Sequence, residues 1–393
     1  RRREDAASDG APQGCVFTPM VTGPQSKTDE EQAEFENSSD FANYFCTYEF
    51  LYHQKQMLED QRRMSAYYSA IMDNAMRFKD KVVLDVGAGS GILSIWAAQA
   101  GAKKVYGVEA TKVAKHANVL VKANHMDHIV EIIQCKMEEV DLPEQVDIII
   151  SEWMGYFLLR ESMLDSVIAA RDKWLKPGGA LYPSRACMYI APIFNGDALE
   201  KYKQYQETMN NWHEFLRETK GNYGVTMDCL TQSYTAEQWQ HFMESAQWID
   251  MPAEDLVGEA CMIKEIDLNT ATVEDYKKID TTFSSRLSKN SRVSGFAGWF
   301  TTPFEGSPAA PASDPIMVLD TSPGTGYTHW GQQMFNIWPH QHANVGDVIC
   351  GQIEVTRRQD NQRLLNVRIT HSIEKASGKL AKSKHTETIW QIQ

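Results

Sequence analysis

Two glutamates stand close together in the stretch "VDIIISEWMGYFLLRESML", residues 146–164. Glu152 comes almost directly after a run of three isoleucines that is typical of a buried strand, and Glu161 follows nine residues later. A buried strand rarely ends in a carboxylate unless something cationic docks at its tip. Two carboxylates that flank one pocket match a planar guanidinium, whose N–H donors pair with carboxylate oxygens. Taken alone, Glu161 also fits a solvated helix face, so the hypothesis rests on the pair.

A glycine-rich turn follows another apolar strand, in the motif "VLDVGAGSGIL". Gly87, Gly89 and Gly91 separate this strand from a helix, and Glu109 ends the next strand about 20 residues further on. Glycines let the backbone approach a ligand, and an acidic side chain at that strand end can accept both hydroxyls of a ribose. The motif predicts a nucleoside site rather than a tight turn without a ligand. Its spacing, with Asp85 two residues before Gly87, departs from the dinucleotide pattern and resembles that of S-adenosylmethionine methyltransferases.

The elements that must position these residues differ between the two halves of the chain. Strands and helices alternate to about residue 180, which predicts a parallel, doubly wound sheet with ligands at the carboxyl ends of its strands. Helical spacing of apolar residues predicts helices from Phe41, over 57–70 and over 196–248. Residues 1–39 lack such periodicity and are predicted to form a disordered tail. The later segments are short, apolar and separated by turn residues, so they predict a second, all-β domain. They read "VSGFAGWF", "PIMVLD", "QQMFNIW", "DVICGQIEV" and "RLLNVRIT".

The composition argues against several classes of function. A formal net charge of −13 disfavours a surface for nucleic-acid phosphates and suits a cationic substrate, although it can equally serve solubility alone. No apolar run approaches the roughly 20 residues that span a bilayer, and the start lacks the apolar core of a signal peptide, so we expect an intracellular protein. The seven cysteines are scattered without a Cys-x-x-Cys pair, which predicts reduced thiols.

Four motifs in one order make the chain similar to the protein arginine methyltransferases. "SEWMGYFLLRESML" resembles the double-glutamate loop of that family and "VLDVGAGSGIL" its cofactor motif. "YFCTY", residues 44–48, resembles its amino-terminal helix, and "THWGQ", residues 328–332, resembles its barrel loop. The similarity runs from about Phe41 to the end. "YHQKQML" and the long helical excursion are most similar to the plant group numbered ten in the family.

The resemblance implies an α/β plus β fold. A Rossmann-like S-adenosylmethionine-binding domain with amino-terminal lid helices would cover residues 40–182. A β-barrel substrate-binding domain would follow over 183–393, with a helical dimerisation arm, 196–248, inserted in it. The junction between Tyr182 and Pro183 would be a cis peptide bond.

The resemblance also implies roles for individual residues. Arg63 would hold the carboxylate of the cofactor, the glycine loop its methionine portion and Glu109 its ribose, with the adenine near Glu138. Asp60 and His329 match a pair that bridges the two domains beside the substrate, although His329 by itself fits a satisfied core imidazole. The implied site residues are, for catalysis, Glu152, Glu161, His329 and Asp60; for cofactor binding, Gln54, Arg63, Asp85, Gly87, Gly89, Glu109, Glu138 and Tyr44; for substrate binding, Tyr48, Met57, Met154 and Trp330.

The implied activity is transfer of methyl groups from S-adenosylmethionine to the guanidino nitrogens of arginines in histone tails and Arg/Gly-rich proteins. Met57 and His329 resemble the residues of the type I class, which forms monomethylarginine and asymmetric dimethylarginine. The expected protein is a homodimer of the cytoplasm and nucleus that needs no metal and binds neither nucleic acid nor membrane. Two rivals remain open on the residues alone: a nicotinamide dehydrogenase, and a catalytically silent scaffold that binds Arg-rich partners.

Overall fold

The structure, a computed structural model, describes residues 48–376 and 386–392. The predicted tail, the predicted helix from Phe41 up to residue 47, and the candidate site residue Tyr44 lie outside the described residues. The helices of the first half are α1 Leu51–Glu59, α2 Gln61–Met72, α3 Ala75–Phe78, α4 Ile92–Gln99, α5 Ala114–Ala123 and α6 Leu164–Trp174. The strands of this half are β1 Val82–Val86, β2 Lys104–Glu109, β3 Val130–Gln134, β4 Val146–Ser151 and β5 Leu175–Tyr182.

These five strands form the parallel part of one sheet, in the order β5-β4-β1-β2-β3. All residues of β1 are buried, as expected for a strand that helices cover on both faces. The chain runs from β1 outward to β3 and then returns to β4 on the other side of β1. Val86 therefore pairs with Ser151, and the loops that begin at Gly87 and Glu152 leave from neighbouring strand ends. Ligands of doubly wound folds bind at this kind of switch point.

The single helix predicted over 57–70 is wrong, because this segment is divided between two helices, α1 and α2, at Asp60. The backbone of Asp60 is extended, with φ −70° and ψ 93°, and separates α1 from α2. Its side chain accepts a hydrogen bond from the amide of Arg63 at 3.0 Å, which caps α2. Apolar periodicity does not reveal this break, because α1 buries only Gln54 and no glycine or proline marks its end.

The second half carries two long helices and the remaining strands. The helices, α7 Asp197–Tyr223 and α8 Thr231–Met243, confirm that residues 196–248 are largely helical. The strands are β6 Arg185–Ile193, β7 Gln247–Ile249, β8 Cys261–Asp267, β9 Lys278–Arg286, β10 Ser291–Pro303, β11 Gly306–Ser307, β12 Ala310–Pro311, β13 Val318–Asp320, β14 Gln332–Ala343, β15 Val348–Arg357, β16 Leu365–Glu374 and β17 Thr386–Ile392. The peptide bond between Tyr182 and Pro183, which lies between β5 and β6, is cis as predicted.

The strands of the second half form two sheets and not the closed barrel that the resemblance implied. One sheet runs β7-β14-β10-β6-β8, with β13 paired to β10, and the other runs β17-β16-β15-β9. In the described residues, hydrogen bonding between named strands does not join the two sheets into a ring. The short β11 and β12 extend the parallel sheet of the first half beyond β5. The α/β plus β fold class is confirmed, with an open β half.

Three features of the described residues concern membrane-spanning helices, metal ligands and cysteines. Among their helices, none has both the length and the apolar character that crossing a membrane demands. No three His, Cys, Asp or Glu side chains in this part of the chain gather in a way that would hold a metal ion. The cysteines that the structure describes, Cys135, Cys187, Cys229, Cys261 and Cys350, are all free.

Candidate active site

The glycine loop between β1 and α4 adopts a backbone that favours glycine. Gly87, Gly89 and Gly91 have φ values of +72°, +53° and +84°, which lie in the left-handed region. A Cβ on Gly87 would come within 2.2 Å of Cε of Met163, so that flexible side chain would have to move aside. The loop therefore needs glycine for its conformation.

Glu109 closes this loop from the neighbouring strand. It is nearly buried at the end of β2, and its carboxylate accepts hydrogen bonds from the amides of Gly89 at 2.8 Å and Thr111 at 2.7 Å. Each carboxylate oxygen has a second lone pair, so it can still accept a hydroxyl. This geometry fits the two adjacent hydroxyls of a ribose.

Asp85 lies fully buried on β1 below the loop. The Ser94 hydroxyl donates to its Oδ2 at 2.6 Å, while Oδ1 has no hydrogen-bond partner among the described residues. Burial raises the pKa of Asp85 to about 7, and the nearby charge of Glu109 acts in the same direction against the Ser94 hydrogen bond. An orphaned carboxylate oxygen beside an open glycine loop fits a polar group of a bound cofactor.

Two other predicted cofactor residues lie in different surroundings. Gln54 on α1 is buried; its Nε2 donates to the Tyr48 carbonyl at 3.1 Å, and its Oε1 lies 3.0 Å from where a Cβ on Gly89 would stand. The side-chain amide of Gln54 therefore brings α1 next to the glycine loop. Glu138 is exposed and accepts a hydrogen bond from the Ser166 hydroxyl at 2.7 Å.

Glu152 follows β4 and binds an arginine of the same chain. Nε and Nη2 of Arg63 donate to the same oxygen of Glu152, Oε2, at 3.0 and 2.8 Å. Both side chains are about nine-tenths buried, which makes this a partly desolvated ion pair. Nη1 of Arg63 donates to the carbonyl of Met57 at 3.1 Å, so the pair also ties α1 to α2. Oε1 of Glu152 accepts no hydrogen bond from the residues that the structure describes.

Glu161 lies at the far end of the same loop and is held on both oxygens. The Tyr48 hydroxyl donates to Oε2 at 2.7 Å, and Nη1 of Arg160 donates to Oε1 at 3.0 Å. The Arg160 guanidinium also lies 5.3 Å from the ring of Tyr156. Tyr48 and Glu161, which the sequence assigned to one site, are thus in direct contact.

Asp60 and His329 join the two halves of the chain. Oδ2 of Asp60 accepts from the backbone amide and from Nδ1 of His329, both at 2.8 Å. Burial alone would raise the pKa of Asp60, but its hydrogen bonds with His329 and the amide of Arg63 hold it below the ordinary value. An ionised carboxylate only accepts hydrogen bonds, which assigns the ring proton to Nδ1 and leaves Nε2 as the basic nitrogen.

Met154 and Trp330, both predicted to contact the substrate, lie beneath the surface of the site. Each is almost completely buried, and Nε1 of Trp330 donates to the carbonyl of Met154 at 2.8 Å. In this arrangement they support the loop that carries the two glutamates. Direct contact with a substrate would need a movement of that loop.

Comparison with known proteins accounts for this arrangement. Residues 184–376 match the family described as the arginine methyltransferase oligomerization subdomain, and residues 67–184 match the ribosomal protein L11 methyltransferase (PrmA). Protein arginine N-methyltransferase PRMT10 of Oryza sativa subsp. japonica is 48% identical over 341 residues, which cover 86% of this chain and 90% of that protein. The chain belongs to the protein arginine N-methyltransferases. PRMT10 of Arabidopsis thaliana is 46% identical over 358 residues, 91% of either chain.

Solved structures of the protein arginine N-methyltransferases share the fold. The crystal structure of Arabidopsis thaliana protein arginine methyltransferase 10, described as a uniquely open conformation, has a TM-score of 0.86 at 45% identity and covers 89% of this chain and 100% of that chain. The Trypanosoma brucei PRMT1 enzyme-prozyme heterotetrameric complex with AdoHcy has a TM-score of 0.74 at 30% identity, covering 88% and 100%. The chain is an S-adenosylmethionine-dependent protein arginine methyltransferase of the PRMT10 group, which excludes the nicotinamide dehydrogenase.

Sequence reasoning missed some residues that the structure brings to the site. Arg160 precedes Glu161 directly in the sequence, so its position next to a candidate catalytic carboxylate could have identified it. Ser94, two residues into α4, bonds Asp85, and Tyr67 donates to the carbonyl of Ser151 at 2.9 Å at the end of β4. The last two contacts join residues that no sequence motif connects.

Proposed function

We propose that this methyltransferase forms monomethylarginine and asymmetric dimethylarginine in Arg/Gly-rich segments and histone tails, with Glu152 and Glu161 as the residues that bind the substrate guanidinium. One observation carries the assignment: each of these two carboxylates already accepts hydrogen bonds from a guanidinium of the chain itself, Arg63 on Glu152 and Arg160 on Glu161. A carboxylate that binds one planar fork of N–H donors has the chemistry to bind another.

The two glutamates would solve the main difficulty of the reaction. A guanidinium stays protonated at any working pH, because its pKa exceeds about 12, and a cation is a poor nucleophile. Carboxylates on the nitrogens that do not react hold the positive charge there and leave the remaining nitrogen richer in electrons. The partial burial of Glu152 strengthens its ion pair, since little water screens the charges.

S-Adenosylmethionine, when bound, supplies a methyl group on a positively charged sulfur. Glu109 and the glycine loop would hold its ribose and methionine portions, and Arg63 its carboxylate. Because Glu152 fixes the Arg63 guanidinium in the structure, the residue for the substrate and the residue for the cofactor are mechanically linked. Such a link would orient the two reactants relative to each other. Correct orientation supplies much of the rate acceleration of a two-substrate reaction.

We infer that His329 accepts the proton that the substrate nitrogen loses. Asp60 holds Nδ1 of His329 and stays ionised because its pKa is lowered, so it would stabilise the imidazolium that forms. Asp60 also caps α2, the helix that carries Arg63. The pair would therefore serve proton transfer and the placement of Arg63 together.

Asymmetric product requires room for a methyl group beside the reacting nitrogen. Met57 is partly buried near the end of α1, and its carbonyl accepts a hydrogen bond from Arg63, which places the backbone of Met57 beside the Glu152 ion pair. A flexible thioether yields to a first methyl group where a rigid ring would not. Met57 therefore supports a second transfer to the same nitrogen.

We also propose a homodimer in which the arm, residues 196–248, packs on the partner. The match to an oligomerization subdomain supports an oligomer. Aromatic side chains of the arm pack within the same chain: Tyr202 stacks on Trp338 of β14 at 3.9 Å, and Trp212 stacks on Tyr234 of the arm at 4.1 Å. The large apolar side chains that the arm exposes are Leu199, Phe215, Tyr223, Val225, Leu230 and Trp248.

A groove between α2 and α4 offers a complementary surface for such an arm. Met64, Tyr68 and Trp96 line it together with two serines, and its volume is about 330 Å³. Tyr68 is 47% exposed, which leaves an aromatic face without cover. One wall of the groove is α2, the helix that carries Arg63, so an arm bound there would stabilise the cofactor site. Histones are nuclear, so we propose that the protein reaches the nucleus as well as the cytoplasm, where Arg/Gly-rich proteins would be its substrates.

The function is tested by mass spectrometry of an Arg/Gly-rich peptide incubated with the protein and isotope-labelled S-adenosylmethionine. We expect labelled methyl groups on arginine, and none on a control peptide in which every arginine is replaced by lysine. Label on the lysine peptide, or no label on either peptide, would contradict the proposal. The second outcome would favour the silent scaffold.

A further inference from the structure

The backbone around Glu161 adopts a conformation that ordinary side chains rarely take. The φ values of Glu161 and Ser162 are +85° and +58°, and those of Phe157 and Leu158, earlier in the same loop, are +49° and +67°. Residues other than glycine pay a steric penalty in this region, so the conformation persists only where the surroundings impose it. Something must therefore hold the loop in the shape that presents the Glu161 carboxylate.

The contacts that fix the loop around Glu161 come from the turn between β15 and β16, residues 358–364. The amide of Glu161 donates to the carbonyl of Arg363 at 2.7 Å, and Nη1 of Arg363 donates back to the carbonyl of Glu161 at 2.5 Å. The Ser162 hydroxyl donates to the carbonyl of Gln362 at 2.7 Å. Both backbone polar groups of Glu161 are thus paired with one residue of the β half.

The β15–β16 turn is itself anchored to the first half of the chain. Arg357, the last residue of β15, forms two hydrogen bonds of 2.6 and 2.7 Å with the carboxylate of Asp165 in the first turn of α6. Within the turn, the amide of Arg363 donates to the side chain of Asn361 at 3.0 Å. The turn therefore cannot shift relative to the double-glutamate loop without breaking an ion pair.

We propose that Arg363 is a positioning residue for Glu161. Its guanidinium fixes the carbonyl of Glu161, while the carboxylate takes hydrogen bonds from Tyr48 and Arg160. Arg363 acts on the backbone that aims the carboxylate, and it makes the β half a part of the catalytic apparatus. The inference rests on the proposed role of Glu161 in binding the substrate guanidinium.

The test compares variants of the whole protein in methylation of an Arg/Gly-rich peptide. Arg363→Met should lower kcat by about tenfold or more, because a small displacement of a catalytic group has an effect of that size. The affinity for S-adenosylhomocysteine should stay within about threefold, since Glu109 and the glycine loop are untouched. Arg363→Lys keeps a cationic donor and should recover part of the lost kcat. Arg358→Met is the matched control: Arg358 is in the same turn but donates to Asp360 and Gln391, and its loss should change kcat by less than about twofold.

A double-mutant cycle distinguishes positioning from a general structural role. Added to Glu161→Asp, Arg363→Met should cause less than about twofold further loss, because both changes act through one carboxylate. Two results would overturn the inference. One is a double variant whose loss of kcat equals the product of the two single losses, and the other is an Arg363→Met enzyme with wild-type kcat. If Arg363→Met does not fold, Arg363→Gln is measured against the same criteria. Wild-type activity of Glu161→Gln would refute the proposed function itself, whereas impaired Glu161 variants beside fully active Arg363 variants would refute only this inference.

Discussion

Arg63 donates two hydrogen bonds, from Nε and Nη2, to a single oxygen of Glu152. The sequence assigned these residues to different reactants, the cofactor and the substrate. With the roles proposed above, a single contact orients both the residue for the substrate and the residue for the cofactor. Changes at either residue should therefore be measured on both ligands.

Glu152→Gln should abolish methyl transfer and leave cofactor binding within about a few-fold. The amide lacks the charge that holds a substrate cation, but its carbonyl oxygen can still accept hydrogen bonds from Arg63. Initial rates with labelled S-adenosylmethionine and calorimetry with S-adenosylhomocysteine measure the two effects. Turnover above about a tenth of the wild-type value would remove Glu152 from the catalytic role.

Glu109→Ala should weaken binding of S-adenosylhomocysteine by about 1–3 kcal/mol. The change removes the acceptor for a ribose and leaves the amides of Gly89 and Thr111 without their side-chain partner. Glu139→Ala, at an exposed glutamate, serves as the control with the same loss of charge. Equal affinities of the two variants in calorimetry would contradict the role of Glu109.

The buried Asp85 should make the ligand-free protein less stable as the pH rises. Its pKa in the folded protein, about 7, lies above the ordinary value of 3.8, so the folded state binds the proton more tightly than the unfolded state. The stability that this group contributes is present at low pH and is lost as the pH rises through about 7. Asp85→Asn should flatten the decrease in Tm between about pH 4 and pH 7, the range between the two pKa values. Parallel Tm curves for the two proteins would show that Asp85 does not titrate in this range.

The dimer proposal predicts that Tyr68→Glu separates the subunits. A charged side chain in the groove between α2 and α4 would oppose burial of an apolar arm, so the variant should sediment as a monomer and methylate poorly. Met76→Glu places the same charge on an exposed methionine outside the lining of that groove and should remain dimeric. Sedimentation showing a monomeric wild-type protein at micromolar concentration would remove the proposal.

Met57→Phe should shift the products towards monomethylarginine. A rigid ring at the end of α1 would crowd the reacting nitrogen once it carries a methyl group, whereas the thioether can move aside. Product ratios at equal turnover, with Met57→Leu as a control of similar volume, measure the effect. An unchanged ratio in the phenylalanine variant would show that Met57 does not border the reacting nitrogen.

The parts of the fold that the sequence predicted are those with local signals. The glycine loop, the strand ends at Glu109 and Glu152 and the helical arm each follow from a motif or a periodicity within a short segment. The break at Asp60 was missed because no glycine or proline marks it, and the carboxylate of Asp60 caps α2 directly after α1 ends. The resemblance implied a β-barrel, but the described strands form two sheets, because the pairing of strand edges depends on long-range packing that neither a motif nor alternation within a strand encodes.

The candidate site was predictable in its composition but not in its contacts. Residue types suggested carboxylates for a guanidinium, and a resemblance supplied the remaining residues. The ion pair of Arg63 with Glu152 and the bond of Arg363 to Glu161 join positions 89 and 202 residues apart in the chain. Neither contact has a sequence signal: the first arises where α2 meets the end of β4, and the second where the β15–β16 turn meets the double-glutamate loop.

The most direct test of the central claim is amino-acid analysis of a methylated Arg/Gly-rich protein after acid hydrolysis. The account predicts monomethylarginine at early times and asymmetric dimethylarginine as the main product later, from the wild-type enzyme and not from Glu152→Gln. Symmetric dimethylarginine as the main product, or the same products from both proteins, would contradict it.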